Sequence, residues 1–319
     1  MRPKLSGNII FVFSDPGGAK PCLALMEENN LSNAIAISDR QYPFYNDFNA
    51  TVRIMNHDFK LFVDDFQPEL IFTGTSYTSD IEKQFIQIAK DKNIPCYSFV
   101  DHWTSFVERF TDVTGKMTLP DEVWVIDQMA KRLAIDQCID ETKLVISGNP
   151  YHDWLRNWKP DMSKGEFLKQ IGLQAVNKKI LVYAPDPLSN VNGKDLYGFD
   201  ELSSTLTLVE LFETHITELR DWIVLVKAHP NQNRNKLNKI ISGHSPFHLL
   251  SENVDTNTTI YYADVVIGFF SSFLVEASIM KKLVLRFFVE QVFNDPLAEL
   301  KIGNTVNKDS IIKALLKIK

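Results

Sequence analysis

Trp222-Ile-Val-Leu-Val-Lys-Ala-His-Pro230 and Ala263-Asp-Val-Val-Ile-Gly-Phe-Phe-Ser-Ser272 decide the fold. Each is a short apolar, β-branched run with no polar alternation, which is how a strand covered on both faces reads. Each stops at polar residues: Lys227, His229 and Pro230 in the first, Ser271 and Ser272 in the second. The second continues through Phe273-Leu-Val-Glu276-Ala277 to another apolar run, Leu283-Val-Leu-Arg-Phe287. That order is strand, tight turn, helix, strand. In a parallel sheet, ligands sit beyond the carboxyl ends of the strands, where helix N-termini present free N–H groups and partial positive charge. Both polar clusters are expected there, and together they indicate an anion site. Taken singly, Ser271 and Ser272 would also suit a helix cap, and His229 a structural histidine.

The same grammar runs through the rest of the chain. Ile9-Ile-Phe-Val-Phe13 leads into Ser14-Asp15-Pro16-Gly17-Gly18 and then a helix. The paired glycines predict positive φ or close approach of backbone to a ligand. Their spacing matches neither the dinucleotide fingerprint nor a Walker loop. Further strands are expected at 34–38, 51–55, 69–73, 95–100, 121–126 and 143–147, with helices at 58–66, 79–90, 128–135 and 151–158. Pro95–Val100 delivers Asp101, His102 and Trp103, followed by Glu108 and Arg109. A strand end this dense in charge and aromatic groups reads as a site, or as an ion pair of Asp101 with Arg109.

Lys159-Pro-Asp-Met-Ser163 reads as a linker, dividing the chain into residues 1–158 and 159–319. A strand at 179–184 opens the second half, and the stretch 188–199 reads as a long loop, either a lid or a surface excursion. The last helix, 309–318, is expected to pack across the two halves. The expected class is α/β: two Rossmann-like domains facing a cleft.

Composition narrows the function. Of 319 residues, 45% are hydrophobic and 23% charged, with a formal net charge of −6, values of a globular chain with no broad attraction to nucleic acid. Cys22, Cys96 and Cys138 are widely separated and form no metal or redox spacing. No apolar run approaches a membrane span or a signal peptide. A cytoplasmic protein is expected, acting from the inner surface if it works at a membrane.

Four segments, Asp15-Pro-Gly-Gly18, Pro120–Asp127 with Ile146–Pro150, Lys227–Pro230, and Ala263–Gly268 through Ser271-Ser272 to Glu276-Ala277, resemble the GT-B class of glycosyltransferases. The His-Pro pair followed by Ser-Ser is similar to bacterial sialyltransferases, Kdo transferases and CDP-glycerol glycerophosphotransferases. The resemblance implies a metal-independent transferase, with no cofactor, that moves a sugar from a nucleotide-activated donor, CMP-linked rather than UDP-linked, to a glycan or lipid-linked glycan of a bacterial surface polysaccharide. Asp101, His102 and Asp15 are then the base candidates. Gly17, Gly18, Lys227, His229, Pro230, Ser271, Ser272 and Glu276 would hold the donor, and Trp103, Glu108 and Arg109 would shape the acceptor side. UDP-N-acetylglucosamine 2-epimerases share this fold and a similar strand-end histidine, with a Gly-Gly turn where this chain has Phe269-Phe-Ser-Ser272. An epimerase or hydrolase is therefore the alternative enzyme, and a non-catalytic nucleotide-sugar binder the alternative outside enzymes.

Overall fold

The computed structural model describes residues 2–318 apart from 77, 175, 176, 291, 293, 294 and 296. The chain divides into two compact units, Met1–Trp154 and Leu155–Lys319. The boundary lies inside the helix Pro150–Leu155, a short way before the expected one. The reason is aromatic: Tyr151 and Trp154 pack on Phe48, which ties that helix to the first unit.

The first unit carries strands β1 (Ile9–Phe13), β2 (Ala34–Ser38), β3 (Val52–Ile54), β4 (Leu70–Thr73), β5 (Cys96–Val100), β6 (Glu122–Val125) and β7 (Leu144–Ile146). They form one sheet in the order β3-β2-β1-β4-β5-β6-β7, and every pairing is parallel. The order reverses between β1 and β4, which makes the carboxyl ends of these two strands the switch point of the sheet.

The second unit carries β8 (Lys179–Ala184), β9 (Trp222–Val226), β10 (Phe247–Leu249), β11 (Val265–Gly268), β12 (Leu283–Phe287) and β13 (Asn304–Val306). Their order is β10-β9-β8-β11-β12-β13, again all parallel, with the reversal between β8 and β11. Side chains alternate between two apolar cores: Leu181, Tyr183, Val224 and Ile267 enter one, and Ile180, Val182, Leu225 and Val266 the other. A strand filled on both faces must be apolar at every position, which is why these runs show no alternation. Gly268 ends β11 where a Cβ would stand 2.6 Å from the carbonyl oxygen of Ala184, so only glycine lets β11 and β8 lie this close.

Two edge strands, β10 and β13, and the helices Arg234–Ile241 and Thr256–Tyr262 add to the elements read from sequence. The last helix, Ile311–Leu316, buries Ile311, Ile312 and Leu315 in a core of the second unit. The stretch 188–199 is structured, with a 3-10 turn Leu188–Val191 and a short helix Gly193–Tyr197. It is fastened by aromatic contacts, Tyr197 with Phe270 and Phe199 with Phe269, both at 5.0 Å between ring centroids.

Candidate functional site

The glycines after β1 matter first for the side chains they lack. Neither Gly17 nor Gly18 has positive φ. A Cβ on Gly17 would lie 2.0 Å from Oδ2 of Asp101, and one on Gly18 would lie 3.0 Å from Cα of Gly74. They are small so that the loops after β1, β4 and β5 can converge, which sets the Asp101 carboxylate directly on the start of the helix Pro16–Glu28.

Asp101 accepts a hydrogen bond of 2.8 Å from Nη1 of Arg109. The same nitrogen donates to the carbonyl oxygen of Thr75 at 3.1 Å and to its Oγ1 at 3.0 Å. The Arg109 side chain is 6% exposed and that of Asp101 21%, so the cation is sunk beneath an anion that still reaches solvent. Asp15 sits nearby on the same convergence of loops. It holds its helix through its carbonyl oxygen, and its carboxylate accepts from Arg40 Nη1 at 2.8 Å and Thr78 Oγ1 at 2.7 Å.

His102 follows Asp101, with Nδ1 3.0 Å from Oγ1 of Thr104. Burial lowers its pKa, the Asp101 charge opposes this, and the Arg109 charge adds to it, so the ring is neutral at pH 7. Trp103 and Glu108 belong elsewhere. The indole N–H of Trp103 donates to both carboxylate oxygens of Asp127, at 3.1 and 3.0 Å, and the ring packs on the core. Glu108 is exposed on the helix Phe106–Phe110, whose inner side carries Phe106, Arg109 and Phe110.

Glu82, in the first turn of the helix Ile81–Lys92, lies within this group. It is 2% exposed. Its Oε1 accepts from the N–H of Ser14 and its Oε2 from the hydroxyl of Ser76, both at 3.0 Å. Burial raises its pKa to about 7, against the pull of those hydrogen bonds.

In the second unit the turn between β11 and the helix Ser272–Ile279 already faces an anion of the protein itself. Asp186, just past β8, accepts a 2.9 Å hydrogen bond from the N–H of Phe270. Burial raises its pKa to about 6, opposed by hydrogen bonds from the N–H groups of Phe270, Phe269 and Ser271. Ser271 is the N-cap, its Oγ accepting from the N–H of Phe273 at 3.0 Å. Ser272 is exposed at the first helical position, and Glu276 is buried one turn further on. Replacing Ser271 by Ala is expected to cost about 0.5–2 kcal/mol, the range for a lost N-cap. Chemical denaturation of the variant measures it, and an unchanged midpoint would show that the cap contributes nothing.

His229 is oriented by two bonds. Its Nδ1 accepts from the N–H of Asn231 at 3.1 Å, and its own N–H donates to Oε1 of Gln232 at 2.9 Å. With Nδ1 accepting and burial lowering its pKa, the neutral ring carries its proton on Nε2 and acts as a donor there. Gln232 spans to β8 by donating to the carbonyl oxygens of Pro185 and Asp186, at 3.3 and 3.4 Å. Lys227 is drawn off to another partner, the carbonyl oxygen of Val254 at 2.6 Å, and burial lowers its pKa. Pro230 is exposed beyond His229.

The structure thus gathers Asp15, Gly17, Gly18, Asp101, His102 and Arg109 at one set of strand ends. It sets Ser271 and His229 around Asp186 and Gln232 at another. Arg40, Glu82, Asp186 and Gln232 were not singled out in the sequence as site residues. Among the described residues, no group of three His, Cys, Asp or Glu side chains could hold a metal ion, and no helix is long and apolar enough to cross a membrane.

No protein-family model matches the sequence, and neither does any curated protein. Solved structures do match along its length. The UDP-GlcNAc 2-epimerase of Methanocaldococcus jannaschii superposes with a TM-score of 0.67 at 12% identity, covering 97% of this chain and 92% of that one. That of Neisseria meningitidis bound to UDP-GlcNAc gives 0.65 at 14%, covering 96% and 90%. MnaA of S. aureus with UDP gives 0.65 at 14%, covering 96% and 86%. These likenesses carry the fold, two parallel-sheet α/β units of GT-B type. They also correct the functional expectation: solved neighbours that are UDP-GlcNAc 2-epimerases, such as the first two, overturn the reading as a glycosyltransferase using a cytidine-linked donor.

Proposed function

We propose that this chain is a UDP-sugar enzyme of the 2-epimerase or hydrolase type. The observation that carries the reading is the convergence of Asp101 on the Gly17-Gly18 loop, within a fold whose solved neighbours include UDP-GlcNAc 2-epimerases over nearly the whole chain. In the second unit, the N–H of His229 Nε2, the Ser272 hydroxyl and the start of the helix Ser272–Ile279 are suited to a diphosphate, and Glu276 to a ribose hydroxyl. In the first unit, Asp101, with His102 and Asp15 as rivals, is the candidate acid–base group.

The chemistry sets the requirement. A C2–H beside an acetal carbon has no carbonyl to acidify it, so its loss to a base must accompany departure of UDP from C1. The C2–H and C1–O bonds break, a C1–C2 double bond forms, and re-addition of UDP restores the sugar, with a proton returned to either face. A water adding at C1 instead would give hydrolysis. Such a site needs a base near neutrality and donors that hold the leaving diphosphate.

Incubation with UDP-GlcNAc and no acceptor, followed by ¹H and ³¹P NMR, tests the reading. The expected products are the 2-epimer, or UDP with free sugar, and a substrate left intact would refute it. Calorimetry supplies a second check: UDP is expected to bind at least about tenfold more tightly than CMP or CDP, a difference of about 1.4 kcal/mol. Equal affinities would remove the uridine assignment.

A further inference from the structure

Glu82 has an unusual set of neighbours for a buried carboxylate, because every hydrogen-bond donor that reaches it is uncharged: its own N–H, and two from other loops, the Ser14 N–H and the Ser76 hydroxyl. The two donors come from different loops, one leaving β1 and the other leaving β4, and Glu82 sits in the first turn of the helix Ile81–Lys92 between them. Ser76 Oγ also lies 3.3 Å from the carbonyl oxygen of Ser79, to which it can donate. This supplies two complete hydrogen-bond patterns on the same heavy atoms. With Glu82 ionised, the Ser76 hydroxyl donates to Oε2. With Glu82 neutral, its Oε2–H donates to Ser76 Oγ, and the Ser76 hydroxyl turns to the Ser79 carbonyl. In both patterns Oε1 accepts from the Ser14 N–H, which cannot reverse its role.

We propose that Glu82 is a proton-carrying positioning residue of the first unit: it locks the loops after β1 and β4 through Ser14 and Ser76, and it changes the charge beneath Gly17, Gly18 and Asp101 by one without moving either loop. The other charges around it are balanced or fixed. Asp15 is paired with Arg40, Asp101 with Arg109, and Asp80 with Lys83. Asp39, at the end of β2, accepts from the Ser79 hydroxyl at 2.6 Å. Cys22, on the helix packed against Glu82, is held in its thiol form, by burial first and then by the charges of Glu82 and Asp101. His102 is kept neutral by burial. The proton on Glu82 is therefore the one that changes near neutral pH, in agreement with its pKa of about 7.

The sign follows from linkage. A carboxyl whose folded pKa lies above its ordinary 4.5 stabilises the fold fully below that ordinary value, and the contribution is lost as pH rises through the folded pKa. The wild-type melting temperature should thus carry a decline between about pH 5 and 7.5 that Glu82→Gln lacks, because the amide reproduces the neutral pattern by donating to Ser76 Oγ and accepting from Ser14. The functional consequence rests on the proposed nucleotide-sugar reading. UDP-GlcNAc keeps a constant charge between pH 6 and 8, so its affinity should fall over that range by about three- to tenfold in the wild type, from one added negative charge at partly screened distance, and stay flat in Glu82→Gln.

Thermal unfolding of the ligand-free wild type and Glu82→Gln across pH 5–8, with calorimetric titration of UDP-GlcNAc into both, is the test. Diverging melting curves and a pH-dependent affinity confined to the wild type are the expected result. Parallel melting curves overturn the assignment of the proton, whatever the ligand does. A wild-type affinity step that persists in Glu82→Gln overturns its link to the site. Failure of UDP-GlcNAc to bind either protein refutes the functional reading, while the ligand-free melting curves still decide the role of Glu82. Should Glu82→Gln not fold, ¹³C-carboxyl NMR of the wild type decides: one glutamate titrating near pH 7 supports the proposal, and all of them titrating below about pH 5.5 overturns it.

Discussion

Turnover of UDP-GlcNAc is expected to fall by about 10²–10⁴-fold when Asp101 is replaced by Asn, the usual contribution of a general base. The carboxylate stands at the end of β5, where a Cβ on Gly17 would collide with it and where Arg109 fixes one of its oxygens at 2.8 Å. Asn keeps the shape and can still accept from Arg109 through its amide oxygen, so it removes the basicity and leaves most of the geometry. Some stability is lost with the counter-charge, about 1–3 kcal/mol for a hydrogen bond to a charged group, so the comparison belongs at a temperature where both proteins are fully folded. Affinity for UDP itself should change little, since the proposed nucleotide contacts lie in the second unit. Single-turnover kinetics with matched calorimetry separate the two quantities. An Asp101→Asn enzyme within about threefold of wild type would make Asp101 a partner of Arg109 and nothing more. The same assay on Asp15→Asn and His102→Ala would then locate the base.

The largest effect on stability is expected at Arg109. Its guanidinium is buried, and one nitrogen serves Asp101 together with both oxygens of Thr75. Arg109→Met should destabilise the first unit by about 3–5 kcal/mol, because removing one member of a buried pair leaves the other charge uncompensated. Urea unfolding measures this directly. The double variant Arg109→Met with Asp101→Leu should be more stable than Arg109→Met alone, since a buried pair replaced on both sides by apolar groups is often near neutral. If Arg109→Met costs under about 1 kcal/mol, water already screens the pair and its burial has no energetic weight.

The succession of most strands along the chain and the polarity of their ends were legible in the chain itself. A five-residue run such as Ile180–Ala184 or Trp222–Val226 is apolar throughout because helices cover both faces of a parallel sheet, and that requirement is written locally. The polar residues at 14–18, 101–103, 227–230 and 271–272 follow those runs directly, so placing them at strand ends needed no tertiary information. Strands β10 and β13 escaped because each is three residues long at a sheet edge, and two of the three residues in β13 are exposed. Three residues on an edge carry too little periodicity to register.

Partner choice was decided only by the fold. Asp15 meets Arg40, and Glu82 meets Ser14, across 25 and 68 residues of chain, because β2 and β4 flank β1. Nothing in the spacing of those residues announces either meeting. Gly17 and Gly18 read in sequence as positions for positive φ or for close approach to a ligand, and only the fold shows that Asp101 and Gly74, arriving from other strands, lie where their side chains would be. Lys227 read as a phosphate ligand, and only the fold shows that its ammonium donates to the carbonyl oxygen of Val254, 27 residues further along the chain. The expected transferase chemistry was overturned by the solved neighbours rather than by any one residue. A strand-end histidine and a serine turn mark where an anion can bind on such a sheet, while the reaction depends on which carboxylates the strand order brings beside it.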